Sequence, residues 1–333
     1  MRRRDFLALL ALGPATAAAG PLDDGDRAWG AGDGELAARL WEKALAAART
    51  ADDRVAILLR LVAADREAGR LRRAGERLDE AERLAGALPR VANERALLWM
   101  AQGQLPEAAE LLDNTFKQVQ SGGDVAMAAV LANNMGLALT ATGEHARASR
   151  AFDAAARLFH ALGDPLGEAD ATNNRGLAER REGRLREARA SLEAAVAGFA
   201  AVASGPGEAD AHNNLALVLQ DLGADDLAGA ELSRALGLST VPGRRGAVLA
   251  NVALLEARAG RVEASVKHFR EAEAELRRGG RDGEALAVAL QRALVESPDP
   301  STYREIYARS PDPGTRAVAA LNLGGLVVAA DPA

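Results

Sequence analysis

The sequence predicts an all-α protein, a right-handed α-solenoid of antiparallel helical hairpins, and three observations predict it. The strings ANNMGLAL (132–139), TNNRGLAE (172–179) and HNNLALVL (212–219) recur forty residues apart. Apolar residues make up 48% of the 333, yet aromatics only 3%, so Ala and Leu must do the packing. That suits close helix contacts and argues against a sandwich or barrel, which needs alternating β-branched and aromatic residues. Within one repeat Leu185, Ala188, Leu192, Ala195 and Phe199 step by three and four residues, which puts them on one helical face.

The chain opens on MRRRDFLALLALGPATAAAG. A basic start, a short apolar run from Phe6 to Leu12, a Gly-Pro break and small residues follow in the order of a secretory signal, with a cut expected after Ala19. The apolar run is too short to span a bilayer, so no stable membrane span is expected after removal. Arg3-Arg4-Asp5-Phe6-Leu7 resembles the twin-arginine export signal, with Arg2 where Ser or Thr is usual and Ala8 where Lys is common. Loss of Arg2, Arg3, Arg4 and Asp5 with the signal would take the net charge from -6 to -8. The expected location is the periplasm or beyond, or the cytoplasm if the segment is retained as a first helix.

From residue 22 the hairpins follow one another. The forty-residue register runs through Gly136, Gly176 and Ala216, through Gly143, Gly183 and Gly223, and through Ala148, Ala188 and Ala228, with Phe152, Leu192 and Leu232 as the large residues. Upstream and downstream units supply Trp41, Leu78, Leu112 and Phe269 at that large position, and turn glycines at 32, 69, 103 and 260. Small residues on one helix, a turn glycine and a large residue between alanines on the next resemble the tetratricopeptide repeat, whose ordinary length is 34 residues. The longer units are similar to those of the kinesin light chain group. About seven repeats are expected over 22–280, and 281–333 reads as an irregular helical C-terminal cap, with a short helix over Thr302 to Arg309 among four prolines and a final segment carrying Asn322, Leu323 and Gly324.

The resemblance implies that first helices line an inner, concave surface. With Gly176 facing the second helix of its own unit, Asn173 and Leu177 point toward that surface. By register so do Asn133 with Leu137 and Asn213 with Leu217. Side-chain amides carry donors and acceptors together and hold a peptide main chain without reading its side chains; the resemblance implies this role for Asn133, Asn173 and Asn213. The second members, Asn134, Asn174, Asn214 and Asn251, lie one residue around the helix, facing the neighbouring unit or the groove edge. Asp170 and Asp210 lie one turn earlier, and Arg180, Arg181, Gln220, Asp221 and Arg258 near the far helix ends, as groove charges or as salt links between units.

Other chemistry is sparse. Cysteine is absent, which excludes disulfides, thiolate metal sites and cysteine nucleophiles. A net charge of -6 offers no footprint for nucleic acid. His145, His160, His212 and His268 show no ligand spacing, and His212 reads as a groove or surface residue beside the asparagines. No metal or cofactor is expected. The expectation is a non-catalytic scaffold for a protein or extended peptide. Two alternatives stand beside it: an architectural role through the outer helices, and an enzyme using Ser301, Tyr303 or Tyr307.

Overall fold

The computed structural model describes residues 20–86, 88–296 and 300–330, and side chains of the last helix through Leu323. The signal reading, with its cut after Ala19, lies outside the described residues. Seventeen helices are described: α1 (Pro21–Gly30), α2 (Gly34–Ala47), α3 (Ala51–Glu67), α4 (Leu71–Ala85), α5 (Pro89–Ala101), α6 (Leu105–Gly122), α7 (Val125–Ala141), α8 (His145–Ala161), α9 (Pro165–Arg181), α10 (Leu185–Ala201), α11 (Gly205–Asp221), α12 (Asp225–Leu238), α13 (Pro242–Arg258), α14 (Val262–Arg278), α15 (Asp282–Val295), α16 (Pro300–Arg309) and α17 (Pro313–Ala330). There is no strand among them, and the fold is an α-solenoid of antiparallel hairpins.

Local chemistry sets the helix ends. Asp33, Thr50, Asp124 and Asp164 cap α2, α3, α7 and α9 by accepting from backbone N–H groups at 2.9–3.0 Å. The seven turn glycines expected from the sequence all have φ between +72° and +91°, a region a Cβ disfavours.

The chain forms two compact units, Met1–Glu182 and Gly183–Ala333. In the first, Trp29, Trp41, Leu58 and Leu78 centre one core and Leu112, Leu131 and Phe152 another. The two tryptophan rings lie 5.4 Å apart, and Trp41 Nε1 donates to Asp26 at 2.9 Å. In the second, Leu192, Leu215 and Leu232, then Phe269 with Leu249, and finally Tyr303, Ile306 and Leu290 form successive cores.

Backbones approach where the small residues stand. A Cβ on Gly136 would lie 2.5 Å from the Phe152 ring, so α7 and α8 meet only because position 136 lacks a side chain. Gly246 plays the same part between α13 and α14, facing Leu276 and the backbone of Ala272. Past residue 280 the hairpin pattern continues: α15 packs on α16, Tyr303 occupies the large position, and α17 follows with Ala319 buried.

Candidate functional site

The asparagine pairs sit mid-helix on α7, α9 and α11, and the structure connects them side chain to side chain. Asn174 Nδ2 donates to Asn133 Oδ1 at 3.3 Å, from α9 to α7. In the second unit Asn251 Nδ2 donates to Asn213 Oδ1 at 2.8 Å, from α13 to α11. Asn134 Nδ2 donates to Asn93 Oδ1 at 2.8 Å, from α7 to α5. Thus the second member of a pair reaches back to the first position of the preceding first helix. For these three the bond runs to a side chain of the neighbouring first helix, because a first-position amide lies within reach and offers a carbonyl oxygen.

Burial separates the linked pairs. Asn133, Asn173, Asn213, Asn174, Asn214 and Asn251 are half-buried, as are Leu137, Leu177 and Leu217 one turn beyond the first positions. Asn134 is 1% exposed, which corrects its assignment to the groove: it lies beneath the surface on Asn93, itself 4% exposed.

Asn93 was not expected from the sequence, although the signal was there, since Ala92-Asn93 stands forty residues before Ala132-Asn133. Its neighbour Glu94, at the second position, is 2% exposed and accepts from Asn93 Nδ2 at 3.2 Å. Arg66 lies 3.6 Å from Glu94 Oε2. Burial holds the Glu94 carboxyl above the usual carboxylate range, opposed by the Arg66 charge and the Asn93 hydrogen bond. In the earliest repeats the same kind of link is ionic: Arg60 on α3 donates to both Asp26 oxygens on α1, at 2.8 and 3.0 Å.

The flanking charges divide. Asp210 is half-buried and pairs with Arg244 of α13 at 3.1 Å, a link between neighbouring first helices. Arg258 is exposed and lies 3.6 Å from Asp225. Asp170 and Arg180 are half-buried, Arg181 and Asp221 exposed, and Gln220 buried. His212 corrects its expectation: it is buried, with Nδ1 2.5 Å from Glu231 of α12, because α12 packs over that side of α11. His160 and His268 also sit against a glutamate of an adjacent helix, Glu168 at 3.0 Å and Glu256 at 2.7 Å. No cluster of three metal-ligating residues occurs among the described residues, and no described helix is long and apolar enough to cross a membrane. Tyr303 is buried and donates to the Ala293 carbonyl at 3.1 Å, so its hydroxyl belongs to the core.

Comparison of the whole fold places it. A crystal structure of a tetratricopeptide repeat protein from Parabacteroides merdae superposes with a TM-score of 0.56, at 14% identity, over 80% of this chain and 96% of that one. The fold is that of tetratricopeptide repeats. The apo form of the quorum sensor NprR from B. thuringiensis matches with a TM-score of 0.64, at 13% identity, over 91% of both chains. The apo form of RapI matches with a TM-score of 0.65, at 10% identity, over 86% of this chain and 84% of its own. No protein-family model and no curated protein matches the chain in sequence.

Proposed function

We propose that the chain binds an extended peptide or protein segment on its first helices and catalyses no reaction on it. One observation carries this reading: Asn133, Asn173 and Asn213 stay partly open on α7, α9 and α11, each with a half-buried leucine one turn on. An amide beside an apolar patch holds a main chain and shelters its neighbouring side chains. The acidic balance disfavours a nucleic-acid partner. Sharing the fold with the apo form of a quorum sensor is consistent with a binding role.

The N-terminal string supports export to the periplasm by a twin-arginine route. Replacing Arg3 and Arg4 by Lys then retains the chain in the cytoplasm, and normal export of that variant removes the pathway assignment.

A second reading, an architectural scaffold, draws on the amide links, since these join successive first helices. The variant carrying Asn133→Ala, Asn173→Ala and Asn213→Ala separates the two. Loss of binding to peptides selected from a displayed library, with Tm held, supports the binding face. Unchanged binding with a large fall in Tm supports the architectural role.

A further inference from the structure

On α5, Asn93 and Arg95 stand two residues apart, which turns their side chains about 200° from each other around the helix. Asn93 belongs to the face that carries the amide links, whereas Val91, Arg95 and Trp99, four residues apart, form the opposite face. These three line a cavity of about 660 Å³ inside the first compact unit, together with Asp79 and Glu82 of α4 and Leu111 of α6. The volume falls in the range of small-molecule sites, and most of the lining is apolar.

The same gap one repeat later is closed. By register Glu82 and Ala85 correspond to Phe116 and Val119, and Val91, Arg95 and Trp99 to Leu131, Met135 and Leu139. Those five later residues pack into one core. In the earlier repeat α4 ends at Ala85, a carboxylate stands in place of the Phe116 ring and a guanidinium in place of the Met135 thioether, so the chain's own side chains leave the space open.

The charges around the cavity do not balance. Glu82 holds Arg95 through both carboxylate oxygens, Nε to Oε1 at 3.0 Å and Nη2 to Oε2 at 2.8 Å. Asp79 shares the same Nη2 through Oδ1 at 2.6 Å and is exposed. Arg83, also exposed, turns its Nε to the Asp79 backbone carbonyl at 3.3 Å and does not line the cavity. Two carboxylates against one guanidinium leave a single negative charge at Asp79, with the Trp99 indole one turn beyond Arg95.

We infer that this cavity binds a small organic cation, an apolar body carrying one protonated amine. The body displaces water from Val91, Trp99 and Leu111, the ammonium group donates to the Asp79 carboxylate, and the indole attracts the same charge. The site lies on the face of α5 opposite the amide links and is independent of the peptide-binding reading.

Binding of diphenylpropylamine, diphenylpropanol and diphenylpropionate to the full chain tests this, read by calorimetry and by the indole N–H resonances of the three tryptophans. Trp29 and Trp41 are buried in a separate core, so only the Trp99 resonance should move. The amine is expected to bind about tenfold more tightly than the alcohol, and the acid more weakly than either. Asp79→Asn, at an exposed position, brings the amine to the level of the alcohol while the alcohol's affinity and Tm hold. The combination Glu82→Phe, Ala85→Val and Arg95→Met copies the closed gap and abolishes binding of all three probes without lowering Tm. The variant with Asn133→Ala, Asn173→Ala and Asn213→Ala binds the amine as the wild-type chain does, which separates this site from the peptide-binding face. The site is overturned if no probe at millimolar concentration moves the Trp99 resonance, or if that resonance moves with protein concentration alone, as a second copy filling the cavity would make it. Alcohol or acid binding as tightly as the amine, or an amine affinity unchanged in Asp79→Asn, overturns the cation assignment.

Discussion

At the scale of single residues, two positions depart from what their neighbours do. Ala203 has φ +51°, the left-handed region, forty residues after Gly163, which has φ +66° in the corresponding turn. The turns share their closing bonds: Gly163 and Ala203 donate to the carbonyls of His160 and Ala200, and the next residues to those of Phe159 and Phe199. A Cβ in this region costs about 1–2 kcal/mol, partly offset by the greater chain entropy that glycine loses on folding. Ala203→Gly should therefore raise stability by about 0.5–1 kcal/mol in urea titrations; a destabilised variant refutes the strain. The other position is Glu94, whose carboxyl burial holds above its ordinary range. Its folded form binds a proton more readily than its unfolded form, so its contribution is full below the unfolded value and declines as pH rises through the folded one. The Tm of the wild-type chain relative to Glu94→Gln should rise as pH is lowered from 7 toward the ordinary carboxyl range. A difference independent of pH contradicts this. Asn93 and Glu94 were legible only as a register position; that their side chains close a buried link depends on distances no spacing supplies.

Helical hairpins succeed or fail on how closely two backbones approach. On α7, Gly136 lies under the Phe152 ring of α8, where a Cβ would stand 2.5 Å away. Gly136→Ala should cost about 1–3 kcal/mol by overpacking, even though alanine is the better helix former. Combining it with Phe152→Leu recreates the pair that Ala216 and Leu232 form within one core of the second unit, and should recover part of the loss. Denaturant titration of the three variants checks this; a double variant no better than Gly136→Ala places the strain elsewhere. The small-to-large spacing that predicts the hairpins states this complementarity in sequence form, which is why helices and turns were readable. The pairing of His212 with Glu231 was not, because it depends on how far α12 is rotated against α11.

For the whole molecule, the consequence of a repeat fold is that contacts are local in sequence. Within each unit the heaviest packing is between helices that follow one another in the chain, and each unit is a succession of small cores. Stability is then close to a sum of repeats and neighbour interfaces. Phe269→Ala, at a fully buried position between α13 and α14, should cost about 3–5 kcal/mol locally. Amide hydrogen exchange should accelerate over α13–α15 while α3–α8 keep their protection. Uniform acceleration along the chain indicates one global cooperative unit instead.

The amino-acid string by itself determined the helical class, the hairpin, the turn glycines and the large core positions, because each follows from periodicity and from what a missing or bulky side chain permits. It also determined that asparagines recur at one register of the first helices. Only the tertiary structure decided what those asparagines do with their hydrogen-bonding groups. Residues 38 to 41 positions apart had to be brought within 2.8–3.3 Å of one another before their amides could bond. Spacing places a side chain on a face, whereas burial and donor geometry depend on neighbours that only folding supplies.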